Sequence, residues 1–256
     1  MSDQKEKAEQ FAALHTQGDP LILFNIWDSG GAKAVAEAGA KAIATGSHSV
    51  AVANGYDDGQ HVPLEFVLEN ISRIVTSVNL PVTLDFEGGY ATDADGLKSN
   101  IAKVIETDAI GINFEDQIVG GEGMYSVEQQ QTRIAAVREA ADSKSIPLFI
   151  NARTDVFLKN GPEHHHDHYD EAAKRALAYA NAGASGFFAP GLKDPELIRR
   201  LCNLSPLPVN IMVMADTPTN KEMADLGVAR ISYGPGPYRK MIAALKLAAA
   251  EAFEIA

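Results

Sequence analysis

The sequence predicts an α/β protein of the (β/α)₈ TIM-type barrel class. Short apolar runs rich in Val, Ile and Phe recur eight times, and each is followed by a longer stretch with helical spacing. This alternation is typical of βα units that build a parallel sheet, and eight units in about 250 residues is the size of one barrel. Because no Pro-, Gly- or Ser-rich linker divides the chain, we predict a single domain over residues 1–256.

Most of the eight runs are apolar on both faces, as strands buried in a parallel sheet should be. In chain order, the predicted strands are 21–28, 41–47, 81–87, 109–116, 147–154, 186–191, 208–214 and 230–235. Helical patterns between them include 30–39, 63–78, 126–143 and 170–183. Gly or Pro lies between helix and strand in several units, which is ordinary helix-stop chemistry. A doubly wound open sheet is the alternative, but it needs a glycine-rich turn after the first strand, and "WDSGG" matches that turn weakly.

Composition restricts the partners and the compartment. The formal net charge of -12 argues against a nucleic-acid partner and against binding to an anionic membrane surface. No apolar run approaches the roughly 20 residues that a membrane-spanning helix needs. The single cysteine, Cys202, cannot form an internal disulfide, and the amino terminus lacks the apolar core of a signal peptide. We therefore expect a cytoplasmic protein.

Polar residues at the carboxyl ends of the strands are the candidates for function, because these ends and the loops after them form the active-site face of a barrel. The candidates are Asp28, Ser47, His48, Asp85, Glu87, Glu115, Asp116, Arg153, Asp155 and Asn210.

The acids predict a metal site. Asp85 and Glu87 lie two apart on a predicted strand, so their side chains should point to the same face. Together with Glu115 they would repel one another unless a cation lay between them. Mg²⁺ is the commonest candidate and Mn²⁺ is possible. The alternative is that one or two of these acids only cap helices.

Arg153 is the candidate catalytic residue. Its guanidinium could hold a carboxylate or stabilise a developing oxyanion, or it could form a structural ion pair with one of the acids. The turn "ATGSHS" offers backbone N–H groups for an anionic group. Two other segments have plainer interpretations: the histidine-rich stretch 163–168 is typical of a solvated loop, and Cys202 of a small core residue.

Together, the segments "GSHS", "GYDDG", "LDFEGGY", "INFED" and "NARTD", in this order and spacing, resemble the isocitrate lyase and phosphoenolpyruvate mutase superfamily. The similarity extends from about Pro20 to the eighth unit. It implies a barrel that exchanges its eighth helix with a neighbouring subunit, a homodimer or homotetramer, and Mg²⁺ bound beside a 2-oxo acid.

The resemblance also assigns roles by position. It implies that Asp85 is the principal metal ligand and that Asp58, Glu87 and Glu115 hold the metal's waters. Substrate contacts are implied for Gly46, Ser47, His48, Asp85, Arg153 and Asn210, with Arg153 at the reacting group. Glu87 and His48 depart from the family pattern, since many members have Asp at the first position and His is unusual at the second.

The loop 117–126 carries the strongest information on activity. It contains no Cys, His, Lys or Arg. Related lyases have Lys-Lys-Cys-Gly-His or Lys-Arg-Cys-Gly-His there, and the mutases have Lys-Thr-Asn-Ser. The loop therefore disfavours isocitrate lyase, methylisocitrate lyase and authentic mutase activity, and leaves open whether it closes as a lid.

These observations predict a Mg²⁺-dependent enzyme that cleaves a C–C bond in a small 2-oxo carboxylate through a metal-stabilised enolate. Decarboxylation of an oxaloacetate-like acid suits a loop without a base, because CO₂ leaves its bonding electrons behind. One alternative is a phosphonopyruvate hydrolase or phosphonomutase-like enzyme that cleaves a P–C bond. Another is a 2-oxo acid binding protein without turnover.

Overall fold

Eight short parallel strands form a nearly closed barrel in the computed structural model, which describes residues 2–254. The strands are β1 (Leu21–Leu23), β2 (Ile43–Ala44), β3 (Val82–Asp85), β4 (Gly111–Glu115), β5 (Phe149–Arg153), β6 (Gly186–Phe188), β7 (Val209–Met212) and β8 (Arg230–Ser232). Their order is β1-β8-β7-β6-β5-β4-β3-β2. A parallel bridge between Ile26 and Thr45 joins the two remaining edges. The predicted barrel is confirmed, with strands shorter than expected.

Helices lie between the strands around the outside of the barrel, and one more helix precedes the first strand. They are α1 (Ser2–Ala13), α2 (Ser29–Glu37), α3 (Ser47–Ala53), α4 (Leu64–Ser77), α5 (Ala94–Glu106), α6 (Val127–Ser143), α7 (Val156–Lys159), α8 (His165–Asn181), α9 (Pro195–Leu204), α10 (Asn220–Asp225) and α11 (Gly236–Phe253). Capping boxes start α6, where Ser126 pairs with Gln129, and α10, where Thr219 pairs with Glu222. None of these helices is long and apolar enough to cross a membrane.

The histidine-rich stretch is not a solvated loop, so that prediction is wrong. Pro162–His164 form a 3₁₀ turn, and His165 begins α8. The His165 side chain is buried, and its Nε2 lies 3.0 Å from the carbonyl oxygen of Phe157. Pro at the first position of the turn and a buried histidine after it start the helix earlier than the apolar pattern indicates.

Helix α1 closes the bottom of the barrel, at the amino ends of the strands. Phe11 meets the Phe149 ring edge-on at 5.2 Å, and both are packed with Leu21 and Leu23. The Gln4 side chain donates to the carbonyl oxygens of two residues outside the barrel, 2.8 and 3.2 Å away. The open end of the barrel is therefore the opposite one, where the carboxyl ends of the strands lie.

The ring of helices has a gap outside β1. Ile22 and Phe24, which point outward there, are 38% and 39% exposed, and they line an apolar groove together with α2. In a barrel the eighth helix normally covers this face. No residue of α11 from Arg239 to Phe253 is buried, and Leu247 is 63% exposed. The eighth helix therefore leaves this face of its own chain uncovered.

His15 follows α1 and stacks on Phe149, with ring centroids 4.1 Å apart. Its Nδ1 lies 2.8 Å from the carbonyl oxygen of Phe11. Burial and the nearby charge of Arg230 lower the pKa of His15 from 6.5 to about 3. The folded protein therefore holds this imidazole neutral.

A pKa lowered by folding makes stability depend on pH. The contribution is fully present above the unfolded pKa of 6.5 and is lost as the pH falls towards 3. We expect the free energy of unfolding to fall by roughly 1–2 kcal/mol through His15 between pH 7 and pH 5. Urea unfolding at both pH values should show a smaller fall in His15→Phe, while His166→Phe, at an exposed position, should behave like the unmodified chain. An equal fall in all three proteins would contradict the assignment.

Candidate active site

A cavity of about 200 Å³ opens at the carboxyl ends of the strands. It is lined by several of the residues that the sequence singled out, and by others that it did not. The predicted residues that line it are Gly46, Ser47, His48, Asp58, Asp85 and Arg153. The carboxyl ends of the strands therefore bring these predicted residues together at one cavity.

Asp85 ends β3 and faces this cavity. Its Oδ2 accepts a hydrogen bond from the backbone N–H of Ser47 at 3.0 Å, and its Oδ1 lies 3.5 Å from Nδ2 of Asn113. Among residues 2–254, no Lys, Arg or His nitrogen lies within 4.0 Å of this carboxylate. Asp85 therefore presents a carboxylate to the cavity that no cationic side chain of the described residues contacts directly.

The turn before α3 supports Asp85 as well as lining the cavity. Gly46 is the N-cap of α3, and the N–H of Ser47 is the one that bonds to Asp85. At the rim, Nδ1 of His48 lies 3.5 Å from Oδ2 of Asp58, whose side chain is 47% exposed. The structure thus brings the predicted anion-binding turn and Asp58 together, on one side of the cavity.

Glu87 lies beyond the end of the strand, although it lines a second, smaller pocket together with Asp85. The strand ends at Asp85, and Glu87 has a left-handed backbone with φ of 50°. Its Oε1 accepts the backbone N–H groups of Gly59 and Gln60 at 3.1 and 2.8 Å, and Tyr90 donates to Oε2 at 3.2 Å. Burial, then the charge of Asp85, raises the pKa of Glu87 to about 7. Glu87 lies outside the cavity lining and anchors the turn that carries Asp58.

Arg153 ends β5 between two carboxylates. Its Nη1 lies 2.8 Å from Glu115, and its Nε and Nη2 form a fork with Asp155 at 2.6 and 3.0 Å. Burial opposes the charge of Arg153, but both carboxylates outweigh it and raise its pKa. Burial also raises the pKa of Glu115, against the pull of Arg153. These bonds use three of the five guanidinium N–H groups, so Arg153 forms an ion pair and still lines the cavity.

Asp116 and Asp28 have structural roles. Asp116 is fully buried, and its Oδ2 accepts from Arg175 at 2.9 Å and from Tyr179 at 2.8 Å. Its Oδ1 accepts the backbone N–H of Asp155 at 3.0 Å, which connects it to the fork on Arg153. Asp28 caps α2 by accepting the N–H of Gly31 at 2.6 Å. Neither carboxylate lines the cavity.

The loop 117–126 forms a compact hairpin beside the cavity. Gln117 pairs with Met124, the N–H of Ile118 donates to the carbonyl of Gly123 at 3.2 Å, and Gly120 has φ of 74°. Arg175 also donates to the carbonyl of Tyr125 at the base of the hairpin, at 3.1 Å. No residue of the loop lines the cavity.

The sequence missed several residues that line the cavity. They are Asn25, Asn113, Phe188, Met212, Ser232, Gly234, Pro235 and Arg239. Arg239 lies early in α11, and no carboxylate of the described chain lies within 4.0 Å of it. Because Arg239 follows the eighth strand closely, the rule that polar residues after strand ends form the site could have found it. The predicted Asn210 is buried and does not line the cavity itself, but its Nδ2 donates to Oγ of the cavity residue Ser232 at 3.1 Å.

The side chains at the cavity could hold a metal ion only through a few direct ligands. Within residues 2–254, no three His, Cys, Asp or Glu side chains converge to ligate one ion directly. Mg²⁺ does not need such a cage, since it keeps several waters and binds through one or two carboxylates. Asp85 faces the cavity without an ion-pair partner within 4.0 Å among the described residues, and Asp58 lines the same cavity. These two residues fit a largely hydrated Mg²⁺, whereas Glu87 and Glu115 already have strong partners.

Comparisons with known proteins agree with this geometry. Residues 11–253 match the family model described as phosphoenolpyruvate phosphomutase. A protein of Burkholderia cenocepacia J2315, provisionally assigned as a phosphonomutase, is 47% identical with a TM-score of 0.95, and the match covers 97% of this chain and 99% of that one. The 2-methylisocitrate lyase of Escherichia coli (strain K12) is 28% identical over 90% of this chain and 79% of its own.

A phosphonopyruvate hydrolase solved with oxalate and Mg²⁺ has the same fold, with a TM-score of 0.84 at 21% identity over 96% of this chain and 86% of that one. The family match covers nearly the whole chain, and the strands, the cavity and the motifs are all consistent with it. The chain belongs to the phosphoenolpyruvate phosphomutase family, within the phosphoenolpyruvate mutase and isocitrate lyase superfamily.

Proposed function

We propose that this protein is a Mg²⁺-dependent enzyme that breaks a bond to C3 of a small 2-oxo carboxylate, with decarboxylation of an oxaloacetate-like acid as the main reaction. The observation that carries the proposal is the cavity itself. It places the Asp85 carboxylate, which has no cationic partner in the described chain, in the same 200 Å³ space as the guanidinium of Arg153. A cation at the first and an oxyanion at the second would satisfy both groups.

Each residue has a defined part in the proposed reaction. Asp85 would hold the ion directly, and Asp58 would hold its waters, with Glu87 and Glu115 as the further acids that the family resemblance assigns. Bound Mg²⁺ would act as a Lewis acid towards the carboxylate and carbonyl of the substrate. Arg153 has two N–H groups free to stabilise the negative charge that develops on the carbonyl oxygen.

Decarboxylation is favoured because the loop 117–126 adds no acid–base group to the cavity, and the one imidazole of the cavity lining, that of His48, pairs with Asp58 at the rim. No residue of the loop 117–126 lines the cavity, and its lining contains no Cys or Lys. When CO₂ leaves, the electron pair of the broken C3–C4 bond forms the double bond of the enolate, which solvent then protonates at C3. The chain needs only to bind the acid, orient it and stabilise the enolate.

Arg239 supports a second candidate, the cleavage of a P–C bond in a phosphonopyruvate-like acid. Its guanidinium lines the cavity and has no carboxylate partner within the described residues. A phosphono group carries more negative charge than a carboxylate and would use this extra cation. The phosphonopyruvate hydrolase of the same fold makes this reaction a reasonable member of any substrate panel.

A substrate panel tests the proposal. The protein is incubated with Mg²⁺ and oxaloacetate, phosphonopyruvate, methylisocitrate or phosphoenolpyruvate, and pyruvate is followed in a coupled assay, with product NMR for the mutase direction. We expect Mg²⁺-dependent turnover of oxaloacetate. Asp85→Asn should lower kcat/KM by about 100-fold or more, because it removes the metal's direct ligand. Asp57→Asn removes an exposed carboxylate next to Asp58 in the sequence and should leave kcat/KM unchanged.

Three results would count against the proposal. Ordinary turnover of methylisocitrate would overturn the inference from the missing cysteine. Saturable 2-oxo acid binding without any turnover would favour a binding protein. Unchanged activity and metal binding in Asp85→Asn would show that the ion is held elsewhere.

We also propose that the protein assembles as a homodimer or homotetramer by exchanging α11 between subunits. The groove outside β1 is apolar, and the exposed Leu245 and Leu247 of α11 have no apolar partner surface in their own chain. Insertion of α11 from a second copy would bury both surfaces at once. The same exchange is implied by the superfamily resemblance.

Light scattering of charge-insertion variants tests this assembly. We expect the unmodified chain to have the mass of a dimer or tetramer, and the double variant Met241→Glu/Leu245→Glu to shift towards monomer, because these two exposed side chains lie on one face of the helix and two carboxylates would enter an apolar groove. Lys246→Glu, on another face of the same exposed helix, should keep the assembly. A monomeric unmodified chain, or an assembly that survives the double variant, would exclude this exchange.

A further inference from the structure

The middle layer of the barrel interior is polar. Asn113, Asn151, Asn210, Arg230 and Ser232 are all at most 5% exposed and form one connected set of hydrogen bonds. In barrels of this class, the interior layers are dominated by bulky branched apolar residues. Two of the five, Asn113 and Ser232, also line the cavity. The floor of the candidate site therefore lies directly on a buried polar layer.

Arg230 is the cation of this layer, and it is fully buried. Its Nη2 donates to Oδ1 of Asn113 at 3.1 Å, and its Nε lies 3.4 Å from Oγ of Ser232. Its Nη1 has no hydrogen-bond partner within the described protein, and no carboxylate lies within 4.0 Å of the guanidinium among residues 2–254. Arg230 thus contacts two cavity residues without touching the cavity itself.

Arg230 keeps its charge at neutral pH. Burial lowers its pKa to about 9, and the charge of Asp85 opposes the decrease. A buried cation without a carboxylate partner is costly, and such a group is usually paired or replaced by an apolar residue. Its Nη2 bond reaches Asp85 through one intermediate side chain, Asn113. The charge therefore acts on the cavity floor from below.

We propose that Arg230 is a positioning residue that fixes Asn113 and Ser232 on the cavity floor and whose buried charge favours ligands with two negative charges. This inference rests on the proposed function. In a low-dielectric interior the charge acts over more than one contact distance, so Arg230 need not touch the ligand. The oxaloacetate dianion and the enolate that remains when it loses CO₂ carry the same total charge, but one charge moves from the departing carboxylate to the oxygen on C2. In the proposed binding mode this oxygen lies nearer the cavity floor than the departing carboxylate, so the charge of Arg230 stabilises the enolate more than the bound substrate.

Oxalate is the probe, because it is a small dianion that resembles an enolate of pyruvate in shape and charge. Titration calorimetry in Mg²⁺ compares oxalate with pyruvate, a monoanion, on the whole protein. We expect Arg230→Met to weaken oxalate binding about 10- to 100-fold and pyruvate binding less, since it removes a charge but roughly keeps the volume. Arg230→Lys should recover part of the oxalate affinity. In the turnover assay, kcat should fall more than KM rises.

Two controls separate positioning from folding. Arg138→Met removes a partly buried arginine that donates to main-chain carbonyls outside the cavity, so it should leave oxalate affinity unchanged. NMR titration of His15 reports the charge of Arg230 independently of any ligand, because that charge lowers the His15 pKa. In folded Arg230→Met the His15 pKa should rise.

The outcomes are distinguishable. If the unmodified protein neither binds oxalate in Mg²⁺ nor turns over any acid in the panel, the proposed function fails and this inference fails with it. If the unmodified protein binds oxalate but Arg230→Met binds oxalate and pyruvate as well as before, only this inference fails. Equal losses for oxalate and pyruvate, with no recovery in Arg230→Lys and a lower thermal midpoint, would show that Arg230 serves the fold alone.

Discussion

The mouth of the barrel holds more carboxylates than cations, and the arrangement of the site depends on how each negative charge is compensated. Glu115 and Asp155 share the guanidinium of Arg153. Glu87 takes two backbone N–H groups and a tyrosine hydroxyl instead. Asp85 receives a single short backbone hydrogen bond and no cation within the described chain. A divalent ion would therefore gain most at Asp85, which is also the carboxylate that faces the cavity.

The contacts that compensate these charges also hold the loops in place. Glu87 ties down the turn that carries Asp58, and Asp116 connects the base of the hairpin 117–126 to α8 through Arg175. The hydrogen bond from Asp155 to Asp116 joins this support to the fork on Arg153. Removing one partner of a buried ion pair destabilises the fold much more than the intact pair stabilises it. The positions of these side chains at the mouth are therefore tightly constrained. The polar layer around Arg230 then supports the floor from below.

Much of this could be predicted from the sequence, because the barrel follows from periodicity and the site lies where all strands end. Strand alternation predicts that Glu115 and Asp116 point to opposite faces of the strand, but not which partner each carboxylate has. Both are buried, and the partner of Asp116, Arg175, lies far along the chain. The contacts of Glu87 could not be predicted, because its left-handed backbone ends the strand alternation after Asp85. The buried charge of Arg230 gave no signal, because an arginine at the start of a strand resembles an ordinary exposed residue.

A crystal structure of the protein soaked with Mn²⁺ and oxalate, with the ion located by its anomalous signal, would show directly which carboxylate holds the ion. We expect one ion beside Asp85, with oxalate between that ion and Arg153. An ion bound away from Asp85, for example among the histidines of 163–168, or oxalate bound outside the cavity, would contradict it.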